Sequence, residues 1–321
     1  MRLALIILFA LFHSGLHAQH PGAATIKNDT VIVVANDIAK GFNFDYILFI
    51  PKGVPLQKKT ILLEEPNNTG KLSDDMEVHK QHAISLASVS SVGNNISTEL
   101  KIPLLVPVFP RPASRPLVYT HALDRDVMLE KSPDIMRLDL QLLEMIKDAR
   151  SVLLLMGIQV DDKIFMNGFS ASGTFTNRFS FMHPGIIKAL AIGGFNGKLM
   201  IPLKEINAVT LDYPVGINDL QKISKDTFDL YTYKRIPQFI YLGKLDNNDA
   251  VQFEDAYSDS ERTLINEHLG ENVQERFIAC QKIYQKENIN ATFRTFENVG
   301  HWTTAEVNLE VIKFFLSQMH E

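Results

Sequence analysis

The chain has 321 residues, 45% of them hydrophobic and 21% charged, with 32 Lys+Arg against 37 Asp+Glu for a formal net charge of −5. This is globular composition. It excludes disordered, collagen-like and low-complexity architectures, and the acidic balance gives no electrostatic footprint for nucleic acid. The single cysteine, Cys280, excludes an intrachain disulfide and any cysteine-based zinc cluster, and the length suits one large α/β domain.

Arg2 precedes an apolar run over residues 3–12, and Ala18 places a small residue at the cleavage position. That is the pattern of a secretory signal peptide cut after Ala18; the run is half the roughly 20 apolar residues that a bilayer-spanning helix needs. The expectation is a mature chain, residues 19–321, that is secreted or periplasmic and has no membrane span. Sequons at Asn28, Asn67, Asn95 and Asn290 are near chance and decide nothing.

Residues 31–35 and 46–50 are β-branched or apolar runs ended by polar residues or proline, and both read as strands. Their short connection leaves no room for a crossover helix, so they form an antiparallel edge. Residues 60–63 give a third short strand, followed by the turn chemistry of Glu64-Glu65-Pro66-Asn67-Asn68-Thr69-Gly70. Residues 74–97 look helical in their first half, and 102–109 form a continuous apolar strand closed by Pro110-Arg111-Pro112.

Ile135, Leu138, Leu140, Leu142, Leu143, Ile146 and Ala149 recur at helical spacing after Ser132-Pro133. Strand 163–167, helix 171–181 and strand 187–192 follow. Residues 195–235 show no clean period and read as an insertion beside the sheet. Strand 238–242, a mostly helical stretch over 260–287, strand 291–296 and a closing amphipathic helix over 304–319 complete the chain. This alternation predicts βαβ units and a mostly parallel sheet with helices on both faces.

The sharpest local pattern is Gly168-Phe169-Ser170-Ala171-Ser172-Gly173, after a strand and before a helix. A serine nucleophile needs this setting, because an abrupt strand-to-helix turn lifts its hydroxyl above the sheet while small flanking residues let strand and helix approach. Ser170 is the expected nucleophile, with Ser172 in place of the more usual second glycine and facing away from the crevice. A serine hydroxyl needs a base. His79, His82 and His268 lie on expected helices and read as solvated, His183 reads as a helix cap, and His121 beside Tyr119 and Arg125 stays open as an alternative. His301 follows the last strand, where loops at the C-terminal sheet edge converge on one crevice, and is the preferred base. For the acid that orients it, Asp246 and Asp249 both follow strand 238–242; Asp246 is preferred. An oxyanion hole would take the N–H of Ala171 at the helix N-terminus, with a second donor from Asn67 or Asn68.

The chain order Ser170, Asp246, His301, with these flanking elements, resembles the α/β-hydrolase superfamily over nearly all of the mature length. The compact elbow and the Val299-Gly300-His301 segment are similar to those of secreted serine esterases of the polyhydroxyalkanoate-depolymerase and feruloyl-esterase kinds. Two features depart from that pattern: Ser172 for the second glycine, and no His-Gly or Gly-Gly pair at the oxyanion loop. The resemblance implies an eight-stranded sheet, an acyl-enzyme mechanism that uses no cofactor or metal, and a small-molecule or polymer ester as substrate. A recognition protein on the same fold and a serine peptidase are the competing readings. The complete Ser/Asp/His set argues against the first, and the absence of room for a propeller argues against the second.

Overall fold

The computed structural model describes residues 24–68, 70–89 and 91–319. The signal-peptide reading of residues 1–18, and Thr69 in the candidate oxyanion loop, lie outside the described residues. Strands β1 (Thr30–Val34) and β2 (Tyr46–Ile50) pair antiparallel. Their burial follows their position: the edge strand alternates between half-buried and exposed residues, whereas the inner strand Tyr-Ile-Leu-Phe-Ile is covered on both faces.

Strand β3 is only Leu63–Glu64, shifted from the expected 60–63; Thr60 instead makes an isolated bridge to Val160. The acidic pair read as turn chemistry is in fact interior, with Glu64 and Glu65 both buried. The helical stretch that follows is two helices, α1 (Met76–Ser88) and α2 (Val92–Leu100). Each has its own side-chain cap, from Asp75 to the Glu77 N–H and from Ser91 to the Asn94 N–H, which fixes two separate starts. Strand β4 (Leu104–Pro107) then enters the sheet, followed by the short α3 (Arg125–Leu129) and the long α4 (Leu138–Leu155).

Strand β5 (Ile164–Phe169), helix α5 (Ala171–Met182) and strand β6 (Ile187–Gly193) form the central unit, and every residue of α5 is buried. The segment without a period carries a two-stranded hairpin, β7 (Glu205–Ile206) with β8 (Val209–Thr210), and two single-turn helices, α6 (Leu220–Ser224) and α7 (Leu230–Arg235). Strand β9 (Gln238–Gly243), helices α8 (Asp259–Leu269) and α9 (Val273–Lys286), strand β10 (Ala291–Phe296) and helix α10 (Ala305–Gln318) follow.

The eight-stranded sheet runs β1-β2-β4-β3-β5-β6-β9-β10. All pairs from β4 to β10 are parallel, and β2 is the one strand reversed against its neighbours. Apolar side chains cover both faces. Leu142, Phe175, Phe179 and Phe277 of α4, α5 and α9 belong to one core, and Ala83, Ile96, Val311 and Phe315 of α1, α2 and α10 to the other. The parallel strands therefore all present their C-terminal ends along one edge, where loops from separate strands meet.

Candidate active site

Ser170 stands at the junction of β5 and α5 with φ 64° and ψ −131°. Such a backbone costs a non-glycine residue on the order of 1–3 kcal/mol and persists only where surroundings over-determine it. Here they do. The Ser170 N–H donates to Gly193 O at 2.9 Å, and its carbonyl accepts from the Thr174 N–H at 3.1 Å. A Cβ on Gly168 would sit 2.3 Å from Ser172 O, and one on Gly173 would sit 2.9 Å from Gly193 O, so both glycines are required by contact. The Ser172 hydroxyl donates to Phe169 O at 2.7 Å and accepts from the Phe169 N–H at 3.0 Å. It is buried and turned into the elbow, where it satisfies backbone groups of the turn.

His301 lies in the loop between β10 and α10. Its Nε2 is 2.9 Å from Ser170 Oγ, and its Nδ1 is 2.9 Å and 3.1 Å from the two oxygens of Asp246. With Nδ1–H donated to the carboxylate, Nε2 is the acceptor for the serine hydroxyl. The base and acid loops are clasped together: the Leu245 N–H donates to Val299 O at 2.8 Å, and a Cβ on Gly243 would meet Val299 O at 2.3 Å. Gln274 of α9 donates to the carbonyls of Gly243 and Asp246 at 2.9 Å and 2.8 Å and fixes the acid loop from behind. The Phe169 ring packs on the imidazole with centroids 5.0 Å apart.

Asp249 is elsewhere. Its carboxylate accepts from Nη1 of the fully buried Arg276 at 2.7 Å and from the Val251 N–H at 3.1 Å. His121 is not brought to the site either. It is buried, with Nε2 2.9 Å from Phe109 O, and burial pushes its pKa down to about 3. His79, read as solvated, is buried against Ser73 O and the Arg111 N–H. His183 ends α5 as expected, and its Nε2 lies 2.8 Å from Asp139.

Among the oxyanion candidates, Ala171 is the first residue of α5, so its N–H has no intrahelical acceptor. Asn67 is buried, with its amide donating to Phe109 O at 2.8 Å and accepting from the Phe109 N–H at 3.1 Å. That pairing staples the loop to β4 and carries the next residue, Asn68, into the cavity wall beside Ser170. Glu65 anchors the same loop from the other side. Burial pushes its carboxyl up to about 7, against hydrogen bonds from the Gly93 N–H and Ser91.

Ser170 and His301 open onto a cavity of about 620 Å³ whose walls include Tyr119, Asn196, Asn248, Phe253, Arg111 and Asp255. None of these six was singled out from sequence as a site residue. Asn196 is the most direct: its Oδ1 lies 3.1 Å from Ser170 Oγ and accepts from Asn248 Nδ2 at 2.8 Å. Asn196 follows Gly193-Gly194 at the C-terminal end of β6, so the rule that put Asp246 and His301 at this edge could have found it. Among the described residues no group of three or more His, Cys, Asp or Glu could hold a metal, and no helix is long and apolar enough to cross a membrane.

No family model and no curated protein matches the sequence. Solved structures do match in shape. A poly(aspartic acid) hydrolase-1 from Sphingomonas sp. KT-1 aligns over 92% of this chain and 100% of its own at 16% identity, with a TM-score of 0.58. A poly(3-hydroxybutyrate) depolymerase from Bordetella parapertussis aligns over 91% and 92% at 13% identity, with a TM-score of 0.54. An S-formylglutathione hydrolase from Agrobacterium tumefaciens aligns over 91% and 94% at 10% identity, with a TM-score of 0.53. At such identities the likeness carries the fold, and the fold is that of the α/β-hydrolases.

Proposed function

We propose that this protein is a serine hydrolase that cleaves carboxylic esters through an acyl-enzyme on Ser170. The observation that carries this reading is the continuous relay from Ser170 Oγ to His301 Nε2 at 2.9 Å and from His301 Nδ1 to Asp246 at 2.9 Å. A protein that only bound ligands on this fold would need no such chain of contacts, nor the strained backbone that presents the serine. The three structural neighbours are, by their names, hydrolases or depolymerases, which is the reaction class proposed.

In the proposed mechanism Ser170 Oγ attacks the ester carbonyl carbon while His301 Nε2 takes its proton. Asp246 holds the Nδ1 tautomer and stabilises the imidazolium. The carbonyl oxygen becomes an oxyanion and takes hydrogen bonds from the N–H of Ala171, at the positive end of α5, and from Asn68. Collapse of the tetrahedral species breaks the C–O bond, and His301 returns the proton to the departing alcohol. Water then attacks the acyl-serine by the same route in reverse, giving the acid and free Ser170. No step calls on a metal or cofactor. The reading also includes export after cleavage at Ala18, which rests on residues 1–18 of the sequence.

The test is hydrolysis of p-nitrophenyl esters of increasing acyl length by the chain lacking residues 1–18, with and without EDTA. Turnover that survives EDTA and falls roughly 10⁶-fold in Ser170→Ala is expected. Turnover lost to EDTA and restored by zinc, or retained by Ser170→Ala, would overturn the proposal.

A further inference from the structure

The cavity wall remote from the nucleophile holds an unusual group for a site that processes uncharged esters. Arg111 follows β4, and its backbone is held by the Ser73 N–H, which donates to Arg111 O at 2.9 Å, with its own nitrogen 3.3 Å from His79 Nε2. Its guanidinium lies 4.0 Å over the centre of the Tyr119 ring, and Nη2 alone reaches Asp255, at 2.7 Å. Among the described residues Nε is buried without a partner and Nη1 makes no hydrogen bond to a protein group, in a side chain that lines the cavity. The guanidinium is therefore held in place by stacking and one contact while most of its five donors stay unused. The pair is largely buried, its side chains 14% and 23% exposed, and desolvation offsets much of its Coulombic gain, so stability alone gives little reason to place it in the wall of a reaction cavity.

The placement also says which part of a substrate would meet it. Ser170 Oγ is flanked by His301 Nε2 and by Asn196 Oδ1. The departing alcohol must lie on the His301 side, because that nitrogen protonates it. Beyond Asn196 come the Tyr119 hydroxyl, 3.3 Å from Asn196 Nδ2, and then Arg111 stacked on the same tyrosine. An acyl chain that leaves the His301 side to the alcohol would run that way. We infer that Arg111 is the specificity-determining residue of this cavity and that the preferred esters carry a carboxylate at the far end of the acyl chain, bound at Nη1. Asp255 holds the guanidinium by one edge and competes with the substrate anion for it. This inference rests on the esterase reading and names the substrate class for it.

The experiment compares p-nitrophenyl monoesters of adipate and suberate with the hexanoate and octanoate esters, which have the same chain lengths and no charge. The quantity read is the ratio of kcat/KM, charged over neutral, in wild type, Arg111→Gln and Asp255→Asn. A charge-assisted contact that acts in both ground and transition states predicts a ratio lower by roughly tenfold or more in Arg111→Gln, mainly through KM. The ratio should rise in Asp255→Asn, where the competing carboxylate is gone. A purely structural pair would affect both ester series alike and leave the ratio within about twofold in both variants, on the scale of an uninvolved contact. That result, or a ratio that falls in Asp255→Asn, overturns the inference; if Arg111→Gln does not fold, Asp255→Asn decides alone. Thermal stabilisation by millimolar adipate, present in wild type, weaker in Arg111→Gln and stronger in Asp255→Asn, reads the same site without turnover. Should wild type hydrolyse neither series, the esterase proposal fails and this binding measurement still decides the role of Arg111. Hydrolysis of the neutral series with no effect of either variant on the ratio removes the inference alone.

Discussion

Asp246 and Asp249 stand three residues apart on one loop, and the geometry predicts opposite consequences for replacing each by asparagine. In Asp246→Asn, Oδ1 of the new side chain can still accept from the Asn248 N–H, which Asp246 holds at 3.0 Å. The amide NH₂ then faces His301 Nδ1 and forces the proton onto Nε2, where it can no longer accept from Ser170. Wrong-tautomer substitutions of this kind cost on the order of 10⁴ in kcat, or about 5.5 kcal/mol of barrier, with little loss of stability. In Asp249→Asn the charge opposite Arg276 disappears. That guanidinium is fully buried and is left with neutral acceptors alone: Gly270 O, Asn266 Oδ1, Glu271 O and the amide Oδ1 that replaces Asp249 Oδ1. Breaking a buried pair costs about 3–5 kcal/mol, and the remaining acceptors place this case near the lower end. The midpoint of thermal unfolding should fall by several degrees, on the scale of about 2–4 °C per kcal/mol. Steady-state kinetics on p-nitrophenyl butyrate, normalised to the folded fraction from circular dichroism melts, separate the two effects. Equal losses of kcat in both variants, or the larger loss in Asp249→Asn, would refute the assignment of the acid.

Gly168→Ala should destabilise the fold severely or prevent it, since its Cβ meets Ser172 O and the Gly173 nitrogen at 2.3 Å and 2.7 Å; a soluble variant with a wild-type melting curve would contradict this. Ser172→Ala should lose about 1 kcal/mol for the bonds to Phe169 yet keep full reactivity toward active-site phosphonates, measured by denaturant unfolding and labelling rate. His121 is held neutral by burial, with its pKa lowered from 6.5 to about 3, so the unfolded state binds more protons between those values and the stabilising share of His121 is lost as pH falls through that window. Glu65 and Asp124, pushed up to about 7 by burial, act in the opposite sense over part of the same range. The readable quantity is therefore the difference in slope: unfolding free energy against pH should depend less steeply on acidification in His121→Gln than in wild type. An identical slope would remove the role given to His121.

The parts of this molecule that could be read from sequence are those fixed by local pattern. Apolar runs of four to eight residues marked the strands. The strand–turn–helix setting singled out Ser170, and the rule that loops gather at one sheet edge selected His301 and the 246–249 segment. What could not be read depends on partners distant in the chain. Nothing near Asp249 announces that Arg276, from α9, occupies it. Glu64 and Glu65 look like turn residues because charge normally avoids the interior, yet a two-residue strand and the start of α2 enclose them. His79 lies on a helix whose residues looked solvent-facing, but it packs under the loop that carries Ser73 and Arg111. Tyr119, Arg111 and Asp255 come from loops without period or motif, and only folding makes them the far wall of one cavity.

The central claim is that Ser170 is an activated nucleophile, and covalent labelling tests it most directly. A fluorophosphonate mimics the tetrahedral intermediate and reacts only where a proton-relayed hydroxyl and oxyanion donors occur together. The chain lacking residues 1–18 is treated with the probe, digested, and the modified peptide sequenced by mass spectrometry. The account predicts a single adduct on Ser170, absent in Ser170→Ala, retained in Ser172→Ala and strongly slowed in His301→Ala. An adduct on Ser172, or none on a folded protein that still hydrolyses esters, would contradict it.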